Sequence, residues 1–389
     1  MQRRVLYIPG YDPIPPRRYR ELFKREGAEQ AAISGYRLAT GARTDRTGFG
    51  WGATTLTGDQ SATAEFEVLV WSDIVAGSMG QSIPATYAQL ARTAWAYIGS
   101  GALWRLMRLR RGPVLAALYP IVVLLAQALA AVLAGWLAGW LVSLVATWWL
   151  GLPVALVVFV LGLRQWRKLD GKIFAYYLMH DYAFTAQSGG AYPPALQARI
   201  AEFAERVAEV GSQDWDEVLV IGHSSGAYIA VSVLAELARA GRLPQQVALL
   251  SLGHVVPMAS FLPRADQLRR DLHDLAAAQT VWIDVSAPGD ACSFGLCDPV
   301  AVSRCVPEGG GGPLVLSAAF TQTLSPEKQR ALRHRWFRLH FQYLCAFDRP
   351  GDYDYFQITA GPLGLAERFA NRHHSPGRIA VPANRWHYP

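Results

Sequence analysis

Val218-Leu219-Val220-Ile221-Gly222-His223-Ser224-Ser225-Gly226-Ala227 joins four consecutive aliphatic residues to a G-x-S-x-G pattern, and an apolar-periodic run from Ala227 to Leu237 follows. An unbroken aliphatic run stopped by glycine reads as a strand buried on both faces, and the following run has helical spacing. The junction is therefore a sharp strand-to-helix turn with a serine at its apex. A serine hydroxyl is a poor nucleophile unless it is exposed beside a base, and such a turn lifts it above the sheet edge. Only Ser224 has glycine two residues away on both sides. The turn crowds the backbone, so Gly222 and Gly226 must be small. The helix N-terminus aims its amides at any negative charge that develops nearby. The bare pattern also occurs in ordinary tight turns, so the strand before it and the helix after it carry the inference.

The surrounding chain alternates strands with helices. Val5-Leu6-Tyr7-Ile8 reads as a buried strand stopped by Pro9-Gly10. Residues 16–34 have helical spacing with Tyr19, Leu22 and Phe23 on one face, and 35–61 read as a Gly- and Thr-rich loop or irregular subdomain. A strand is expected over 66–71 and a helix over 84–111 that becomes basic toward its end. Beyond it come a helix at 194–210, the strand 217–221, a helix at 225–240, and strands at 247–252 and 281–285. The last closes at Pro288-Gly289-Asp290. Gly309 to Gly312 make a flexible loop, and Ser325-Pro326-Glu327 starts a helix. This alternation predicts an α/β fold with a mostly parallel sheet covered by helices on both faces. No repeat at a fixed period is visible.

Gly112 to Leu163 carries no charge. About 52 residues are too many for one membrane-spanning helix, which needs roughly 20, and suit two helices with a tight turn. Gly135-Trp136-Leu137-Ala138-Gly139-Trp140 is the expected turn, with tryptophans suited to an interface; pairing of helices through Gly135 and Gly139 is the other reading. Pro120 and Pro153 are candidate kinks. Arg105, Arg108, Arg110 and Arg111 flank one end, and Arg164, Arg167 and Lys168 the other. The positive-inside rule then places both flanks and the catalytic domain in the cytoplasm. The plain alternative, a buried hairpin of a soluble protein, is disfavoured by the length of the run.

The net charge of +7 and pI near 9.3 do not imply a nucleic-acid partner. Of 37 basic residues only Lys24, Lys168, Lys172 and Lys328 are lysine, and the arginines are scattered rather than set in one stripe. Cys292, Cys297, Cys305 and Cys345 form no CxxC pair and suggest neither a disulfide scaffold nor a metal site. Met1-Gln2-Arg3-Arg4 leads straight into a strand and leaves no room for a signal peptide, so an internal segment would have to reach the membrane.

The elbow, the order of elements around it and the early strand-loop resemble the α/β-hydrolase superfamily. The resemblance covers the chain apart from the hairpin, with residues 35–61 the other stretch open to exclusion. It implies a hydrolase domain in two parts, 1–111 and 164–389, which the uncharged run, read above as a transmembrane hairpin at 112–163, interrupts. It also implies an oxyanion hole made by the N–H of Ser225 and one from the loop Ile8-Pro9-Gly10-Tyr11-Asp12, with Tyr11 the candidate; the HGGG form of many esterases is absent. The acid should follow a late strand, which favours Asp290 over Asp298, with Asp284 inside the strand. The histidine should come last. His334, His340, His373, His374 and His387 are available, and His340 follows the strand-like Trp336 to Leu339. His223 and His254 precede the acid and read as supporting or packed residues. The implied activity is that of a membrane-anchored serine hydrolase cleaving carboxylic esters, lipids included, through Ser224, His340 and Asp290 without cofactor or metal. Acyl transfer or thioester cleavage would use the same residues, and a membrane scaffold with a decayed domain is the non-enzymatic alternative. Trp95, Tyr97 and Trp104 are candidates to line the approach.

Overall fold

The computed structural model describes residues 1–45 and 47–388. Val5 and Tyr7 face one side of their strand and Leu6 and Ile8 the other, and all four are buried, as are Val218 to Ile221. Strands buried on both faces need helices on both sides, and the chain supplies them. One sheet contains β1 (Gln2–Ile8), β2 (Arg37–Gly41), β3 (Phe49–Thr57), β4 (Gln60–Val68), β5 (Glu217–His223), β6 (Val247–Leu252), β7 (Val281–Ser286) and β8 (Leu314–Ser317). The order is β2-β3-β4-β1-β5-β6-β7-β8. Neighbours from β4 through β8 are parallel, and β3 runs against both β2 and β4.

One face packs Leu6, Ile8, Val218 and Val220 against the helices Pro194–Gly211, Gly226–Arg239 and Asp266–Ala277, which contribute Ile200, Ile229 and Leu272. The other packs Val5, Tyr7, Leu219 and Ile221 against Phe23 of α1 (Arg17–Ser34) and against Tyr343, Phe347 and Phe356 near the C-terminus. The β1–β5 register pairs Ile8 with Gly222. The loops leaving these two strands therefore begin side by side, which sets the geometry of the site.

Several local expectations differ from the structure, and the strand expected over 66–71 is β4, Gln60–Val68. Residues 35–61 contain β2 and β3, because strands with one open face keep threonine and glycine outward and lose the dense apolar signal. The basic helical stretch is two helices, α2 (Ile83–Gly99) and α3 (Ala102–Leu109), separated at Gly101, whose φ of 73° breaks the first. Trp336 to Leu339 belong to a short helix, Trp336–His340, rather than to a strand.

The uncharged run forms α4 (Arg111–Val145) and α5 (Trp148–Lys168), whose most apolar windows have mean hydropathies of 2.3 and 1.6. Both are long and apolar enough to cross a membrane. The turn lies at Ala146 and Thr147, not at 135–140. Gly135 and Gly139 sit inside α4, where a Cβ would come 2.5 Å from the Ala155 carbonyl oxygen and 2.6 Å from that of Gly151. The two glycines thus let α4 and α5 approach closely, and this pairing explains their spacing. The first half of α4 is tied to the rest of the chain: Leu124 is buried, and Tyr87 donates to its carbonyl at 2.9 Å. Beyond it Leu129, Leu133, Trp136, Leu144 and Trp148 are exposed.

Candidate active site

Ser224 stands at the end of β5 with φ 57°, a left-handed conformation that costs a non-glycine residue about 1 kcal/mol or more. Its neighbours show how tightly the turn is held. A Cβ on Gly226 would lie 2.2 Å from the Ile8 carbonyl oxygen, and one on Gly222 would lie 2.6 Å from Ala227 Cα. A Cβ on Gly10 would meet Ser224 Cβ at 3.0 Å and its Oγ at 3.4 Å. The Pro9-Gly10 loop therefore presses directly on the serine. Trp71 Nε1 holds that loop by donating to the Pro9 carbonyl at 2.8 Å.

Asp290 comes to the same end of the sheet from the loop after β7, and His340 from the short helix Trp336–His340. Asp290 follows β7, and its Oδ2 lies 2.7 Å from His340 Nδ1. Both residues are buried. Burial pushes the Asp290 carboxyl upward, but the His340 imidazole and hydrogen bonds from His340, Cys292 N–H and Ser293 outweigh it and hold the group below its ordinary value. A carboxylate only accepts, so the His340 proton sits on Nδ1 and Nε2 is the basic nitrogen. Nε2 has no hydrogen-bond partner among the described residues. The residue lines the cavity that Ser224 also lines.

Two side chains brace this pair. Tyr343 donates to Asp290 Oδ2 at 3.0 Å while accepting the Ala287 N–H at 2.9 Å. His223 Nε2 lies 3.0 Å from the His340 carbonyl oxygen. A carbonyl cannot donate, so His223 carries its proton there; burial, aided by His340, lowers its pKa to about 3 and keeps the ring neutral. Sequence reasoning placed His223 in a supporting position but missed Tyr343. Its spacing of three from His340 is a signal only once the segment is read as helical.

The N–H groups of Tyr11 and Ser225 make no hydrogen bond to protein among the described residues. Both residues line the cavity. The Tyr177 hydroxyl donates to the Tyr11 carbonyl at 2.5 Å and fixes the loop from above. Tyr177 lies on α6 (Ala175–Ala186), the helix by which the chain returns from the apolar hairpin. That helix also contributes Asp181, Tyr182 and Thr185 to the cavity, and Pro113 comes from the first turn of α4. The space enclosed is about 80 Å³. A second, apolar chamber of about 30 Å³ shares Tyr182 and Met258 with it and is walled by Val114, Ala117, Leu118 and Ile121 along one face of α4.

The other candidates lie elsewhere. Asp298 caps a short helix by accepting the Val300 and Ala301 N–H groups, and Arg378 pairs with it at 2.5 Å. Asp284 is inside β7, where it accepts from Ser251 at 2.6 Å. His254 Nε2 bonds the Cys297 carbonyl at 2.8 Å. His334, His373, His374 and His387 are exposed. Trp95 and Trp104 are exposed as well and line neither chamber, whereas Tyr97 forms part of the apolar one.

No family model matches the chain, and no curated protein or solved structure matches it.

Proposed function

We propose that the protein is a serine hydrolase of the α/β-hydrolase type that cleaves carboxylic esters and is held to a membrane by α4 and α5. One observation carries the reading. A serine strained at a strand-to-helix turn shares a cavity with a histidine that has one unpartnered nitrogen, and the other nitrogen of that histidine bonds a buried carboxylate. A free base nitrogen oriented by a carboxylate beside a strained serine supports hydroxyl activation, although Ser224 and His340 are not hydrogen-bonded to each other in this state. In the proposed reaction Ser224 Oγ attacks the ester carbonyl and its proton passes to His340 Nε2. Asp290 orients the imidazole and stabilises its charged form. The Ser225 and Tyr11 N–H groups receive the oxyanion. The proton then leaves with the alcohol, and a water molecule activated by His340 releases the acid and restores Ser224.

The exposed apolar surface of α4 and α5 supports the membrane reading, since contiguous apolar patches of that size are rare in water. Basic residues at both outer ends favour a cytoplasmic catalytic domain. The apolar chamber on α4 favours esters with an apolar part, lipids among them, entering from the membrane surface.

A fluorophosphonate probe applied to the purified full chain tests the reading. Covalent labelling is expected, and it should vanish in Ser224→Ala. A folded wild type that stays unlabelled would overturn the hydrolase reading and favour a scaffold.

A further inference from the structure

We propose that the cavity recognises an ester carrying an ammonium group close to its scissile carbonyl, and that Asp181 is the residue that selects it. The inference rests on the hydrolase reading and names the substrate class of that site. Two charged side chains line the cavity, Asp12 and Asp181, and neither arginine nor lysine does. Asp12 is engaged: it accepts from the Ile14 N–H at 2.9 Å and the Tyr19 hydroxyl at 3.0 Å, with Arg18 at 3.7 Å. Asp181 has no hydrogen bond and no ion pair to its carboxylate among the described residues. It is half-buried, and its open side faces the cavity. Low hydration there pushes its carboxyl up to about 7, against the pull of His340.

A carboxylate without a partner in such a place is costly unless something else supplies the charge. The rest of the lining says what that is. Tyr11, Tyr177, Tyr182 and Phe337 contribute aromatic rings to the same cavity, and Phe341, which also lines it, already carries the Arg18 guanidinium over its ring at 5.0 Å. Tyr177 packs edge-on against Phe337 at 6.0 Å between ring centres, and Tyr11 packs against Tyr177 at 6.3 Å. Ring faces attract cations, and aromatic walls closed by one carboxylate suit a weakly hydrated ammonium better than any neutral or anionic group. The single anionic side chain left unengaged would repel a carboxylate or phosphate placed beside it.

The titratable groups that face Asp181 come from each surrounding element. Tyr177 and Tyr182 lie on its own helix, Tyr11 on the loop after β1, Tyr97 on α2 and Tyr228 on the helix after Ser224, and burial raises all five. Cys292, after β7, is likewise raised by burial. His340 completes the set, and both esters of the comparison below would react through it.

The test compares a choline ester with the 3,3-dimethylbutyl ester of the same acid, which has the same shape without the charge, using the full chain. Wild type should favour the choline ester by roughly tenfold in kcat/KM above pH 8. That ratio should shrink as the pH falls through about 7 and Asp181 takes up a proton. In Asp181→Asn the ratio should fall roughly tenfold and lose its pH dependence, and Asp181→Glu should restore part of both. A ratio near one in wild type, or one unchanged in Asp181→Asn, overturns the inference while fluorophosphonate labelling at Ser224 leaves the hydrolase reading standing. Cleavage of either ester by Ser224→Ala would instead overturn the hydrolase reading itself.

Discussion

Two buried polar clusters flank the same β1 strand and are built on opposite plans. On the β4 side, Arg4 bonds Glu65 at 2.8 Å, Asp45 at 2.9 Å and Glu67 at 2.5 Å. Glu67 also meets Arg43 at 3.2 Å and Arg206 at 2.8 Å. Each of these charges has opposite charges within hydrogen-bond reach. At the carboxyl end of the strand, beside Ser224, polar atoms are left over: His340 Nε2, the Asp181 carboxylate and the N–H groups of Tyr11 and Ser225. The first cluster leaves Arg4 Nε as its one buried atom without a partner among the described residues and ties strands together, whereas the second keeps several unpaired groups around a cavity, which suits a molecule that comes and goes. The contrast predicts that the same kind of mutation will have different consequences in the two places.

The largest effect is expected at the buried carboxylate that orients the histidine of the cavity, if the proposed reaction holds. Asp290→Asn keeps the shape but cannot hold the His340 proton on Nδ1, so turnover should fall by roughly 10³ to 10⁴ with little change in melting temperature. Asp298→Asn, at a carboxylate that caps a helix and pairs with Arg378, should leave turnover of the folded protein unchanged. Steady-state kinetics on both variants, each checked by thermal melting, would decide. Near-normal turnover in Asp290→Asn would move the acid elsewhere.

In the ion network the consequence should appear in stability alone. Glu67→Gln leaves Arg4, Arg43 and Arg206 facing one another with a single charge removed. Breaking a buried pair by removing one partner costs about 3 kcal/mol or more, whereas the turnover of molecules that remain folded should not change. Denaturant unfolding in detergent together with active-site titration separates the two quantities. A loss of turnover per labelled serine would mean that the network also positions the site.

How much of this was legible depended on how local each signal is. The strand, Ser224 and the following helix could be read directly, because the aliphatic run, the paired glycines and the helical spacing lie within twenty residues. Asp290 and His340 could be named only through the order of elements in the family that the chain resembles. The five-residue helix that brings in His340 is too short to show a period, and Trp336-Phe337-Arg338-Leu339 has strand-like composition. Gly135 and Gly139 were read as a turn because glycine in an apolar run marks either a bend or a close neighbour, and only the position of Ala155 and Gly151 distinguishes them. The ion network and Asp181 left no mark in the sequence. Each depends on segments far apart in the chain: Arg206 lies 139 residues from Glu67, and α6 crosses back over the β1 loop after the hairpin.

The smallest effect has the opposite sign to that of Glu67→Gln, although the chemical change in the side chain is nearly the same. The folded protein raises the Asp181 carboxyl from an ordinary value near 4 to about 7, so it binds the proton more tightly than the unfolded chain does. The stability linked to that proton is fully present below pH 4 and is lost as the pH rises through 7. At pH 8 the folded protein holds an ionised carboxylate in poorly hydrated surroundings, a cost that its partial exposure limits to about 2 kcal/mol. Asparagine has the same shape and no charge to desolvate. Asp181→Asn should therefore match wild type at pH 5 within a degree or so and melt a few degrees higher at pH 8.5. Melting both proteins in detergent across that range measures the difference directly. If Asp181→Asn instead melts lower than wild type at pH 8.5, the carboxylate has a partner within the folded chain, and the two clusters are built on the same plan after all.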